Sequence, residues 1–522
     1  MKRTALRLAA LISVFCATTA GVRASSAPRY GGTLRVELSA ASVTLDPRAW
    51  PVGSLESATD EKLASLVYER LVALDNYGRF RPALATDWSH DATNKRWQFT
   101  IRTGVKFSDG SGLTAADVVA ALQSLLPESL KISESGNSVV FQSAAPAPDL
   151  LEQIASGRSL VFRIAQDGTL VGTGPFVAAA AAGEAAAPGQ SSSSHLFFRE
   201  NAEAWSGRPF LDAIDVSLGV PALRAMFDLQ LGKADLIELA PDLVPRATQA
   251  NLRIWTSDPV TLYALRFDEM QSVVPDPRLR EALALSLDRG TMANVLLQKQ
   301  AEPAAALLPE WLSGYAFLFN AETNLDRAKE LRRALPPNVA AGASPLRLRV
   351  DPAGEMAKLL GERVAVNARQ ASILVQVVSR PAAHSGTAAS ASLDPAAGAH
   401  LFAWHYSSLS PRAELDSLFA AYNLEEPREA EATNNLSAMT EQEALYVRER
   451  RVLEDWRVVP LVEQAESVGL GAAVRDWMPA RWGEWHLENV WLESPIAAVE
   501  SSSGAAVQSR EQVRSAIPGA KP

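Results

Sequence analysis

Trp97, Phe99 and Ile101 alternate with Gln98, Thr100 and Arg102, the period-two pattern of a strand with one buried face. Val105 and Phe107 flank Lys106, and Asp109-Gly110 supplies residues that tolerate a tight turn. Thr114 and Asp117 stand three apart ahead of an apolar run, so the spacing predicts a capped helix start. Strand periodicity recurs at Leu34, Val36 and Leu38, at 139–141, at 196–198 and over 261–267. Helical spacing appears through Leu63, Leu66, Val67 and Leu71, and again through Leu279, Ala282, Leu283, Ser286 and Leu287 behind an Asp276-Pro277 start. A strand at 346–350, a helix at 356–369 and a β-branched strand at 373–378, with short joints, imply a parallel pair. Residues 401–406 read as a buried strand that ends in Ser407-Ser408-Leu409-Ser410-Pro411, and Thr440 with Glu443 caps a helix carrying Leu445, Val452, Leu453 and Trp456.

Two Ala/Ser/Gly stretches, 178–194 and 382–399, interrupt this pattern as expected loops, and a Ser/Ala-rich tail follows Glu500. A length of 522 residues with 47% hydrophobic residues allows several domains with ample core. Lys2, Arg3 and Arg7 precede an apolar run over 8–17 and the small-residue end Val22-Arg23-Ala24, which reads as a secretory signal cleaved after Ala24. That run is too short to span a bilayer, and the expected location is the periplasm. Phe15 beside Cys16 fits a lipoprotein signal poorly, so lipid anchoring is not expected. With Cys16 removed, disulfides, thiolate metal sites and cysteine nucleophiles are excluded. The formal charge of −9, made more negative by loss of the basic leader, argues against nucleic acid as a partner.

Several motifs follow in order: Gly31-Gly32-Thr33-Leu34, Leu45-Asp46-Pro47, 84–88 (LATDW), the 97–122 unit, Gly172-Thr173-Gly174-Pro175-Phe176, 201–212 (NAEAWSGRPFLD), 229–235 (LQLGKAD), 276–289 (DPRLREALALSLDR) and 458–462 (VVPLV). Together they resemble the family 5 extracellular solute-binding proteins, the oligopeptide, dipeptide and nickel binders that feed ABC importers. Gly112 stands where that family usually has proline. The resemblance implies an α/β, two-lobe periplasmic-binding-protein fold of class II type, with mixed sheets, an extra subdomain in lobe one and two hinge crossings. It implies a signal peptide at 1–24, lobe one at 25–265 with the subdomain at about 48–170, lobe two at 266–465, a return to lobe one at 466–495 and a disordered tail at 496–522. The crossings are expected near 262–267 and 463–470. It also implies a monomeric, non-enzymatic protein without cofactor, whose partners are a small-molecule solute (peptide, sugar or chelate) and an ABC permease.

The glycine-rich run at 172–176 lacks the Lys-Ser/Thr of a phosphate loop, and Pro175 removes an amide donor, so a close-packed turn is expected there. In the peptide binders the resemblance places an aspartate for the ligand's α-ammonium just after the 402–406 strand. Here that place is Ser407, and no acid lies between Trp404 and Pro411. A buried cation without a carboxylate is poorly solvated, which puts ordinary peptide binding in doubt. The candidate ligand residues are Trp404, His405, Tyr406, Ser407, Ser408, Tyr263, Arg266 and Trp50. Trp404 divides evenly between pocket and core. The spacing of His400 and His405 suits a metal pair poorly. Asp46 and Asp117 read as loop and cap residues. Two alternatives stay open: a family member that senses without transporting, and a secreted hydrolase, for which there is no nucleophile elbow, HExxH or evident acid pair.

Overall fold

A computed structural model describes residues 27–75, 78–179, 195–267, 276–315, 322–335, 345–352, 354–379, 398–424 and 440–493. The expected leader, most of both Ala/Ser/Gly loops and the tail lie outside the described residues.

Two long strands organise the molecule, Arg253–Phe267 with 15 residues and Val458–Leu470 with 13. They pair antiparallel over almost their whole length, from Arg253 opposite Leu470 to Arg266 opposite Val458. At one end Val458–Leu470 also pairs with Leu236–Leu239, which continues through Thr33–Glu37, Ala213–Ser217, His195–Glu200 and Phe176–Ala179. At the other end Arg253–Phe267 pairs with Ala399–His405, which continues through Leu346–Val350 to Val375–Ser379. With Ala301–Pro303 at its side, this makes a mixed sheet of eleven strands among the described residues. The pair formed by Leu346–Val350 and Val375–Ser379 is parallel, as the strand, helix, strand spacing predicts. Register shifts fall between Thr256 and Pro259 and between Pro259 and Thr261, where the sheet passes from one half to the other, and again between Tyr263 and Ala264. Bulges of this kind locally disrupt the ladder and bend a strand.

Alternation assigns each side chain to a layer. Tyr263, Leu265 and Phe267 enter a core beneath the helices Pro277–Ser286 and Glu355–Gln370, while Leu262 and Ala264 face Phe402, Trp404 and the helices Pro411–Tyr422 and Glu441–Glu454. In the first half, Leu34, Val36, Ile214, Val216 and Leu236 form a separate core that includes Trp50 and Trp485.

A further core spans Leu71 to Val161. It lies on a four-stranded antiparallel sheet ordered Ala85–His90, Arg96–Ile101, Ser138–Ser143, Leu130–Ser135, covered by the helix Ala115–Gln123. Trp97, Phe99, Ile101 and Val118 are its buried members, and the expected capping box is present: Asp117 N donates to Thr114 Oγ1, and Thr114 N donates to Asp117 Oδ2 at 2.9 Å. The turn at 172–176 packs its backbone on 66–67, so a Cβ at Gly174 would lie 2.7 Å from the Leu66 carbonyl oxygen. No helix among the described residues is long and apolar enough to cross a membrane.

Candidate functional site

The strand Ala399–His405 ends where the two halves meet. Its last residue and those that follow are held by direct bonds across the boundary: His405 N donates to Gly53 O at 2.8 Å, Leu409 N to Ser156 Oγ at 2.9 Å, and Ser410 Oγ to Asp149. From the first half, the helix Leu55–Ala64 brings Ser57, Ala58, Glu61 and Lys62 to this junction, the loop after Leu150–Ile154 brings Gly157 and Arg158, and 482–484 brings Trp482 and Glu484. Two cavities lie between these groups. One of about 10 Å³ is lined by Trp50, Gly53, Ser57, Glu61, Arg158, His405 and Ser407. The other, of about 40 Å³, is lined by Glu61, Lys62, Arg70, Tyr406, Ser407 and Glu484 among others. At roughly 10–15 Å³ per water position they hold only a few small groups.

Most of the charges here are mutually satisfied. Lys62 Nζ lies 2.5 Å from Glu466 Oε2, with a lysine side chain only 8% exposed, and stands over the Trp485 ring. Burial opposes the lysine's charge, but Glu466 and Glu238 outweigh it and hold its pKa raised. Glu466 is likewise held low by Lys62 against its own burial. Arg70 donates to Glu484, to Glu61 Oε1 at 3.1 Å and to Gly157 O at 3.0 Å. Burial pushes Glu61 up to about 7 in spite of Arg70, and pushes His405 down to about 4, so the imidazole is neutral at pH 7. Arg158 is lowered by burial, with Glu61 the opposing charge.

The family model for bacterial extracellular solute-binding proteins, family 5 (middle part), matches residues 79–424. The chain belongs to that family. The family and the fold are those of binding proteins rather than enzymes. Similar proteins include the peptide transport periplasmic protein SapA of Salmonella typhimurium, 23% identical over 53% of this chain and 57% of that protein. The nickel-binding periplasmic protein of Escherichia coli is 24% identical over 47% of this chain and 52% of its own. The chain's matches span from 14% to 61% of the curated relatives' own length. The structure of the murein tripeptide binding protein MppA of Escherichia coli superposes with a TM-score of 0.73 at 16% identity, covering 89% of this chain and 99% of that one, which establishes the two-lobe fold.

In this family 5 protein the residues singled out by sequence separate into two groups. His405, Ser407, Tyr406 and Trp50 line the cavities between the lobes. Trp404 is 1% exposed in the lobe-two core, where its ring packs on Gly53 and its Nε1 donates to Glu414 Oε1 at 2.5 Å. Ser408 N donates to Glu414 Oε2 at 2.8 Å, and neither Trp404 nor Ser408 lines either of these two cavities. Tyr263 lies on the opposite face of the sheet in the other lobe-two core, and Arg266 stands over the Tyr422 ring at 5.7 Å. His400 Nδ1 meets Asp351 Oδ2 at 3.0 Å and His405 Nδ1 faces Thr261, so the two imidazoles are engaged separately. Among the described residues no group of three or more His, Cys, Asp or Glu side chains could hold a metal ion. Glu61, Lys62, Arg70, Arg158, Glu466 and Glu484 escape sequence reading. Their sequence context gives no signal, since Glu61 and Lys62 follow Asp60, Arg70 follows Glu69, and Arg158 lies between Gly157 and Ser159.

Proposed function

We propose that this protein captures a small solute between its two lobes in the periplasm and delivers it, as a monomer, to an ABC permease. The observation that carries this reading is that His405 and Ser407 of the second lobe and Glu61 and Arg158 of the first line one cavity, with two strands bridging the lobes behind it. Buried polar groups drawn from two bodies are a natural clamp, since binding aligns them and hinge closure removes them from water. In this reading lobe one comprises 25–265 and 466–495, with 48–170 as its extra subdomain, and lobe two comprises 266–465. The similarity to proteins named for peptide transport and nickel binding leaves peptides and metal chelates in the candidate set.

A thermal-shift screen with peptides, sugars and nickel chelates tests the proposal. A solute present at a hundredfold excess over its Kd adds about 2.7 kcal/mol of stability, readily seen as a raised Tm. No stabilisation by any member of the panel would count decisively against solute capture.

A further inference from the structure

The turn that follows the strand Ala399–His405 is shaped by bonds within its own half of the molecule. Ser408 N donates to Glu414 Oε2 at 2.8 Å, Ser410 N to Ser408 Oγ at 3.1 Å, and Ala413 N to Ser410 Oγ at 3.0 Å, the last capping the helix Pro411–Tyr422. Its outward groups go to the four-stranded subdomain. Leu409 packs half-buried against the subdomain core, and its N–H donates to Ser156 Oγ at 2.9 Å. Ser410 Oγ donates to Asp149, and Arg412 Nη1 to Pro146 O at 3.5 Å. A Cβ at Gly157 would lie 2.7 Å from Ser407 O. A preorganised knob, 407–412, is thus seated on one short stretch, 146–157, of the other half.

Asp149 shows what this contact displaces. It stands at the N-cap of Leu150–Ile154, where an aspartate ordinarily accepts from the first helical amides, yet its side chain makes no capping bond to that helix. It reaches across the boundary to Ser410 instead. When the halves part, Asp149 returns to its own helix or to water, and Ser410 keeps its bond from Ala413 N. The cores on either side stay whole, since Leu150 and Ile154 belong to the subdomain and Leu415 and Leu418 to the core beneath Pro411–Tyr422. A seam of this kind opens without unfolding what it joins. Given the solute-capture reading on which this rests, we infer that 407–412 and 146–157 form a closure latch, made as the lobes close and broken as they open. The subdomain then shares with the hinge in setting how long a solute is held. Asp149, Leu409 and Ser410 are positioning residues: they line neither of the two cavities, and they hold shut the walls that do.

Cys16 is the only cysteine in the sequence, so in a Cys16→Ser background a pair of introduced thiols reports on one contact alone. The test joins Asp149→Cys to Ser410→Cys with a short bifunctional thiol reagent and follows the chain by small-angle X-ray scattering. The joined protein is expected to have the radius of gyration calculated from this structure, below that of the unjoined protein. Adding Leu409→Ala removes the apolar knob and is expected to slow joining by about tenfold, the worth of a partly buried leucine, while the Tm of the free protein stays unchanged. Trialanine and nickel–histidine chelate are added in turn, and one that raises the Tm is expected to speed joining as well. Failure to join overturns the latch, and so does a joined protein no more compact than the unjoined one, which would make the seam a fixed joint. A Leu409→Ala variant with a lowered Tm and an unchanged joining rate overturns it too, assigning Leu409 to static packing. If joining compacts the chain but no peptide, sugar or nickel chelate alters either its rate or the Tm, the latch stands and solute capture falls.

Discussion

Ser407 stands where the resemblance led one to expect an acid, and the structure shows a carboxylate a few residues later in chain and just behind it in space. Glu414 accepts from Trp404 Nε1 and Ser408 N, and burial pushes it up to about 7 against those bonds. Its task is to hold the end of the strand, so Glu414→Ala strands two donors at about 1–3 kcal/mol each, measurable as a lower urea midpoint. Glu463 offers a second single-residue test. It is buried on a crossing strand, and burial, Glu449 and Glu302 push its pKa up to about 8 from 4.5. A carboxyl with a raised folded pKa contributes stability that is complete below pH 4.5 and is lost as pH rises through 8. Unfolding titrations from pH 4 to 9 are therefore expected to show a flatter decline in Glu463→Gln than in the wild type, by a few kcal/mol over that range. An identical slope in both proteins would contradict this assignment. None of these roles was legible beforehand, because sequence reveals which residues carry charge but not which are withdrawn from water.

Elements were legible wherever local chemistry decides them. The 97–122 unit shows it: alternation fixed the strand, and Thr114 with Asp117 fixed the helix start. Thr114→Ala is expected to cost about 0.5–2 kcal/mol in thermal denaturation, the ordinary worth of an N-cap. The helix expected through Leu63, Leu66, Val67 and Leu71 instead spans Leu55–Ala64 and ends before Leu66, since Glu61 and Lys62 face the cleft and its apolar stripe is correspondingly thin. The junction itself depends on two glycines invisible to periodicity. Gly53 has φ +68° beneath the Trp404 ring, and Gly157 has φ +58° with a Cβ position 2.7 Å from Ser407 O. Gly157→Ala therefore combines left-handed strain with a clash against backbone from the other lobe. The expected result is a folded protein with weakened solute affinity, seen by calorimetry as at least a tenfold rise in Kd. Unchanged affinity would show that the lobes need not approach this closely.

At the scale of the whole molecule, order of motifs conveyed the family and the two-lobe fold, while the depth of the join between lobes had to be seen. The crossing strand expected at 262–267 begins at Arg253, and two of its register breaks fall at 256–261, at the start of the stretch that pairs with Ala399–His405, with a third between Tyr263 and Ala264 inside it. Long-range pairing of this kind leaves no mark on local periodicity, which is set by burial alone. A sheet continuous through both lobes but irregular between them can bend at one place while each lobe keeps its core. Small-angle X-ray scattering, with and without a solute that raises the Tm, measures that bending most directly. Solute capture between the lobes requires the radius of gyration of the free protein to exceed the value calculated from this structure and to fall to it at saturation. A radius that a stabilising solute leaves unchanged would contradict enclosure between the lobes.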